Sequence, residues 1–301
     1  MIDKRIAIGA LARNCEENLP GNIDRIEELR KHFASSCVFI YENNSTDSTK
    51  DILKKWQSKS DNIYLRLEDI DESKYRLTRK ERLLYRGTSS QRIKKMCDCR
   101  NKLLNMINQG VDTDYVVFID VDIKWFSVDG IINSIENAPK DWGGIFSNCY
   151  VSFLTNQGIF DLPEYYDTFA YLDYGREADE IELKELNRLK RHHIADVIYK
   201  KVNSTGYLQC VSAFGGVGLY KRCAIEGLKY NTYSPIKWND TSSSLCEHIL
   251  YNSKVKGACY VARDLRVTYF LVKKNRFEQF LLRNCPHFYS FVGMLKELIL
   301  G

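Results

Sequence analysis

Strand-like and helix-like segments alternate through the first 122 residues, and this alternation restricts the chain to few folds. Residues 5–12, Arg-Ile-Ala-Ile-Gly-Ala-Leu-Ala, read as a short apolar strand. Residues 22–33 follow with Ile23, Ile26 and Leu29 recurring at helical spacing, and residues 37–41 form a second strand. Asn44-Ser-Thr-Asp is turn and N-cap chemistry that opens a helix through Trp56. Residues 63–67 give a third strand, residues 91–109 a long helix, and Val116-Val-Phe-Ile a fourth strand. This β-α-β-α-β order predicts an α/β domain with a mostly parallel sheet, flanked by helices on right-handed crossovers.

The fourth strand ends in Asp120-Val-Asp122. Ligands of open α/β sheets gather beyond the carboxyl ends of the strands. Two carboxylates there make a hard-oxygen site suited to Mg²⁺ or Mn²⁺. Such an ion holds a diphosphate and stabilises its charge as it leaves. An Asp-X-Asp alone is common, so its weight comes from its surroundings.

The bulk properties exclude more than they select. With 301 residues the chain has room for a sizeable core. The formal charge of +5 is modest, but the stretch from Lys74 to Lys102 carries eleven Lys or Arg against Glu81 and Asp98. That stretch suits a solvated helical face, an anionic substrate or an anionic surface. It matches no nucleic-acid module by spacing, and no nucleic-acid partner is expected. Ten scattered cysteines without a Cys-X-X-Cys pair argue against structural zinc. The N-terminus reads as a strand rather than a leader, and no run is long enough to span a bilayer, so a soluble, cytoplasmic protein with reduced thiols is expected. The apolar tail, residues 288–300, is read as a packed helix, with peripheral membrane contact as the alternative. No linker is evident, and residues 1–301 are taken as one domain, with a nucleotide-binding half at 1–122 and an acceptor half at 123–301.

Four further motifs frame the Asp pair: Arg13-Asn-Cys-Glu, Tyr41-Glu-Asn-Asn-Ser-Thr-Asp-Ser-Thr, Cys99-Arg-Asn and Leu245-Cys-Glu-His. With Phe118-Ile-Asp-Val-Asp they resemble the fungal capsule-associated α-1,3-mannosyltransferase family, which has the GT-A (Rossmann-like) fold. The resemblance covers residues 5–150 and, patchily, 205–250. It implies a metal-dependent glycosyltransferase that takes a sugar from a UDP- or GDP-sugar, with GDP-mannose as the family's donor. The acceptor would be a glycan or glycoconjugate.

The resemblance also implies roles. Glu42 falls on the acid that contacts the nucleoside, whereas Asn43 stands where a second acid is often found. Asp47 is either a substrate contact or the cap of the next helix. Arg13 reaches a phosphate or lies on the surface. Arg100 points toward the diphosphate or donor sugar. Asp120 and Asp122 hold the metal, with His287 as third ligand ahead of His248. Gly215 and Gly216, in Phe214-Gly-Gly-Val-Gly, let backbone approach the ligand or form a plain turn. Glu247 takes the acceptor proton in an inverting mechanism, positions the acceptor in a retaining one, or is a helix-surface acid. Three alternatives remain: an aspartyl phosphohydrolase, a sugar nucleotidyltransferase and a non-catalytic carbohydrate-binding relative. The first departs in having Lys124 two residues after the pair, and the second lacks a Gly-rich loop after strand one.

Overall fold

The apolar run before Asp120 folds as the strand Tyr115–Ile119, with Val116, Val117, Phe118 and Ile119 all buried. A strand buried on both faces needs neighbours at both edges and helices above and below it. The computed structural model describes residues 1–79, 82, 88–110, 112–155, 158–178, 188–232, 244–273 and 276–285. Its first half comprises β1 (Ile2–Ala12), α1 (Leu19–Arg30), β2 (Phe33–Asn43), α2 (Thr49–Gln57), β3 (Ile63–Glu68), α3 (Ser90–Gln109) and β4 (Tyr115–Ile119). Then come β5 (Trp125–Phe126), α4 (Val128–Asn137), β6 (Trp142–Thr155), β7 (Gly158–Asp161) and β8 (Leu172–Asp173). The remainder is α5 (Arg188–Thr205), β9 (Tyr207–Ser212), β10 (Val217–Lys221), α6 (Glu247–Asn252), β11 (Ala258–Lys273) and α7 (Arg276–Asn284).

One sheet runs through both halves in the order β3-β2-β1-β4-β10-β6-β11-β9-β8, with β5 on β11 and β7 on β6. The first four strands are parallel, as the β-α-β-α-β pattern predicts. The chain moves outward from β1 to β3 and then returns to place β4 on the other edge of β1. Right-handed crossovers therefore put α1 and α2 on one face and α3 on the other. The order reverses between β1 and β4, which opens a crevice beyond their carboxyl ends. Antiparallel β10 then closes the far edge of β4, and β6 and β11 pair in parallel.

Local chemistry sets the element ends. Ser89 caps α3 by accepting from the Arg92 amide at 3.3 Å, and Ser127 caps α4 by accepting from Gly130 at 2.9 Å. Eight of the ten cysteines are buried and all are free, so they act as small apolar side chains.

For the second half the residue pattern predicts a Tyr- and Asp-rich loop over 161–174, a charged helix over 177–200, one apolar, Gly-containing segment over 207–220 and late strands over 257–263 and 265–271. The structure departs from these expectations. Residues 207–220 form two strands with a glycine turn between them, not one segment. The expected late strands, 257–263 and 265–271, form one long strand, β11. Its register on β6 slips between Ala262 and Arg266, so the polar Arg263 and Asp264 sit in a bulge that reads as a break. The expected charged helix over 177–200 appears as α5, shifted toward the C-terminus, and residues 179–187 lie outside the described residues, as does the tail 288–300. Among the described residues no helix is long and apolar enough to cross a membrane.

Candidate active site

Asp120 and Asp122 emerge where β4 stops, at the crevice beside β1. Asp120 is fixed on three sides. Its amide donates to the Gly216 carbonyl at 2.8 Å, the Tyr269 hydroxyl donates to its Oδ2 at 3.1 Å, and an Arg100 nitrogen lies 3.9 Å from its Oδ1. Asp122 is exposed toward the cleft, and its carbonyl accepts from the Asn18 amide at 2.7 Å. Burial pushes the Asp120 carboxyl above its usual range, against the pull of Arg100 and with the help of repulsion from Asp122. Desolvation raises Asp122 as well. Two carboxylates that repel each other at the mouth of the crevice favour a cation between them. Among the described residues no three His, Cys, Asp or Glu side chains gather into a ready metal cluster. That donor set suits Mg²⁺ or Mn²⁺, which take one or two carboxylates and complete their shell with substrate phosphates and water.

Arg100 projects from α3 into the same place. It is 6% exposed, and its Nε donates to Glu247 Oε1 at 3.0 Å. Its guanidinium carbon lies 5.1 Å from the Phe214 ring centre and 5.7 Å from that of Tyr230. Burial works against the charge, but Glu247 and Asp120 outweigh it and hold the guanidinium above its ordinary pKa. The structure thus joins residues separated by up to 147 positions into one chain, Asp120–Arg100–Glu247. Glu247 opens α6 and is 4% exposed, so it is not a helix-surface acid.

Gly215 and Gly216 form the turn between β9 and β10, with φ of +67° and +92°. A Cβ on Gly215 would stand 2.6 Å from Ser147 Oγ and 2.8 Å from the Ser147 carbonyl. The turn is therefore both a left-handed one and a close approach, and it carries the carbonyl that holds Asp120. Gly215→Ala should destabilise the fold by on the order of 2 kcal/mol or more, through strain and overlap together. Gly206→Ala, also at positive φ but with open space around its Cβ, should cost clearly less in the same urea titration. Equal losses would refute the close-approach account.

Two residues here escaped the sequence reading. Tyr269 lies in an apolar strand whose alternation hides one hydroxyl aimed at Asp120. Asp167 accepts from the Gly215 amide at 3.0 Å and adds negative potential at Asp120. The Tyr- and Asp-rich segment that contains it was its only visible signal.

The residues that the sequence pattern expects on a nucleotide side gather at the ends of β1 and β2. Glu42 is fully buried; its Oε1 accepts from the Ser45 amide at 2.7 Å, and its Oε2 finds no hydrogen-bond partner among the described residues. Asp47 accepts from the Thr49 amide at 3.0 Å and the Glu16 amide at 3.1 Å, so it braces the turn just before the Ser48 N-cap of α2 and ties that loop to the one after β1. Arg13 donates to Glu72 at 2.5 Å, and Lys95 shares that carboxylate. A cavity of about 620 Å³ lies beside that ion pair, bounded by Glu72, Tyr75, Arg76, Arg92 and Lys95, with part of the basic stretch on its wall. His287 lies outside the described residues. His248 is buried, stacked 3.9 Å from Phe214, and held well below its usual pKa by desolvation and Arg100, as suits a neutral packing residue.

A family model described as Cryptococcal mannosyltransferase 1 matches residues 5–211. A search of curated proteins finds no match. Similar solved structures include the mannosyltransferase PcManGT from Pyrobaculum calidifontis, in complex with GDP-Man and Mn²⁺. It is 14% identical with a TM-score of 0.47, and the match covers 97% of this chain and 65% of that one. Residues 1–349 of S. aureus TarS are 12% identical with a TM-score of 0.45, covering 90% of this chain and 60% of that one. The chain therefore spans less than two thirds of the length of either.

Proposed function

Because this chain belongs to the Cryptococcal mannosyltransferase 1 family, we propose that it is a metal-dependent GT-A glycosyltransferase working as a single unit over residues 1–301. On this reading it moves a sugar, mannose by the family's name, from a nucleotide diphosphate sugar to a glycan or glycoconjugate. The observation that carries the proposal is the convergence of Asp120, Asp122 and Arg100 at the switch point between β1 and β4. Two carboxylates and one buried guanidinium are the groups that a diphosphate leaving group needs.

In this reading Asp120 and Asp122 hold Mn²⁺ or Mg²⁺, which when bound supplies a Lewis acid for the departing diphosphate. Glu42 offers its unpartnered Oε2 to the nucleoside, as an acceptor for a ribose hydroxyl or a base N–H. Arg13 and the basic cavity face the phosphate side, and Asp47 supports that loop from beneath. Arg100, held by Glu247, presents a fixed positive charge that needs no reorganisation as charge develops. The Gly215–Gly216 turn keeps backbone close to the donor sugar. Glu247 stands on the acceptor side. As a general base it would make Glu247→Gln lose turnover with an altered pH profile; unchanged turnover in that variant would remove the base assignment.

The test is nucleotide release from UDP- and GDP-sugars in the presence of Mn²⁺. Slow hydrolysis of one donor is expected, GDP-mannose first, and chelation should abolish it. If no nucleotide sugar binds or turns over with metal present, a non-catalytic carbohydrate-binding relative becomes the better reading.

A further inference from the structure

The aromatic residues beside Asp120 are not used by the donor chemistry. Tyr166 is 39% exposed and Phe270 is 49% exposed, although both pack against the site. The Tyr166 and Tyr269 rings stand 4.6 Å apart, and Tyr166 meets Phe270 edge-on at 5.6 Å. Tyr269 in turn donates to Asp120. A continuous aromatic surface therefore leads from solvent to the carboxylate that would hold the metal.

The segment that carries Tyr166 is pinned in place. Tyr165 is 1% exposed and donates its amide to the Ala195 carbonyl at 3.1 Å. The Tyr166 amide donates to the Cys149 carbonyl at 3.0 Å, and the next side chain, Asp167, accepts from Gly215. Backbone fixed on both sides of an outward-facing ring is a preorganised contact surface. A contiguous exposed aromatic patch rimmed by polar groups is a surface that a ligand can use, unlike a single exposed ring.

Sheet order says which ligand. The strands run β2-β1-β4-β10-β6-β11. Glu42 and the nucleotide side lie on β2 and β1, to one side of Asp120, whereas Tyr269 and Phe270 lie on β11, to the other. The aromatic surface is thus on the far side of the metal carboxylates from the nucleoside. A sugar ring has an apolar C–H face and a polar rim. It can lay that face on an aromatic ring while its hydroxyls turn to neighbouring polar groups such as Asp167. We propose that Tyr166, backed by Tyr269 and Phe270, is the stacking platform for a pyranose ring of a neutral saccharide acceptor. This rests on the glycosyltransferase reading for the word acceptor, but not for the binding itself.

Saturation-transfer NMR with a panel of neutral di- and trisaccharides tests it. With the wild-type chain and with Tyr166→Phe, transfer to ring C–H protons is expected for at least one saccharide. With Tyr166→Ala that transfer should fall severalfold or vanish, while the thermal melt stays that of a folded protein. Transfer undiminished in Tyr166→Ala, failure of Tyr166→Phe to preserve it, or no transfer from any saccharide to the wild type would each overturn the platform. Metal-dependent nucleotide-sugar binding to the wild-type chain is read separately. Its absence would overturn the glycosyltransferase reading and leave a saccharide-binding surface standing.

Discussion

Arg100→Ala is expected to cost about 3–5 kcal/mol of folding stability, because it leaves Glu247 and Asp120 buried without their cation. Urea denaturation of the wild type and the variant measures the loss. The double variant separates attraction from desolvation. Replacing Arg100 and Glu247 together by methionine removes the desolvation penalty along with the attraction, so most of the stability should return. A double variant as unstable as the sum of the two single ones would mean that the pair does not act as a unit. Arg100→Lys should keep more of the stability than Arg100→Ala but not the function. An ammonium keeps the charge but gives up the planar fork that serves Glu247 through Nε while another nitrogen faces Asp120. A nucleotide-release assay separates these two effects of one residue.

The second large effect is expected at Asp122. Asp122→Ala should lower metal-dependent turnover of a nucleotide sugar on the order of a hundredfold or more. It should also leave the fold at least as stable as before. Asp122 lies at the cleft, and its removal relieves the repulsion that it exerts on the buried Asp120. A variant that is stable and inactive identifies a group retained for chemistry at some expense of stability. Full activity in Asp122→Ala would remove the metal assignment, and lost activity together with a lowered melting midpoint would make the residue structural instead. The contrast with Arg100 follows from burial. Arg100 neutralises charge inside the protein, whereas Asp122 carries its charge at the exposed mouth of the cleft.

How much of this was legible before folding can be argued residue by residue. The parallel first half was legible because its strands and helices obey local periodicities, and because a long return helix such as α3 leaves β4 only the free edge of β1. The Asp pair was legible for the same reason: a strand's end is local, and ligands of such sheets collect there. Asp47 was open between cap and contact; it sits one residue before the Ser48 N-cap, and its carboxylate accepts from the Thr49 amide, a local turn contact that adjacent backbone makes legible. β11 was harder to read, since a bulge interrupts alternation without interrupting the strand.

Local pattern alone sets the alternation of elements, the strand that delivers Asp120 and Asp122, and the acid at the end of β2. Those features depend on neighbours within a few residues. Long-range packing alone brings Arg100 between Asp120 and Glu247, brings Tyr269 to Asp120 from β11, and leaves an exposed Tyr166 on the opposite side of Asp120 from β1 and β2. The Arg100–Glu247 and Tyr269–Asp120 contacts each span more than 100 positions, Arg100 and Asp120 meet from different elements, and the exposure of Tyr166 is set by sheet order. Side-chain chemistry names what a residue can bind, but chain topology decides what it meets.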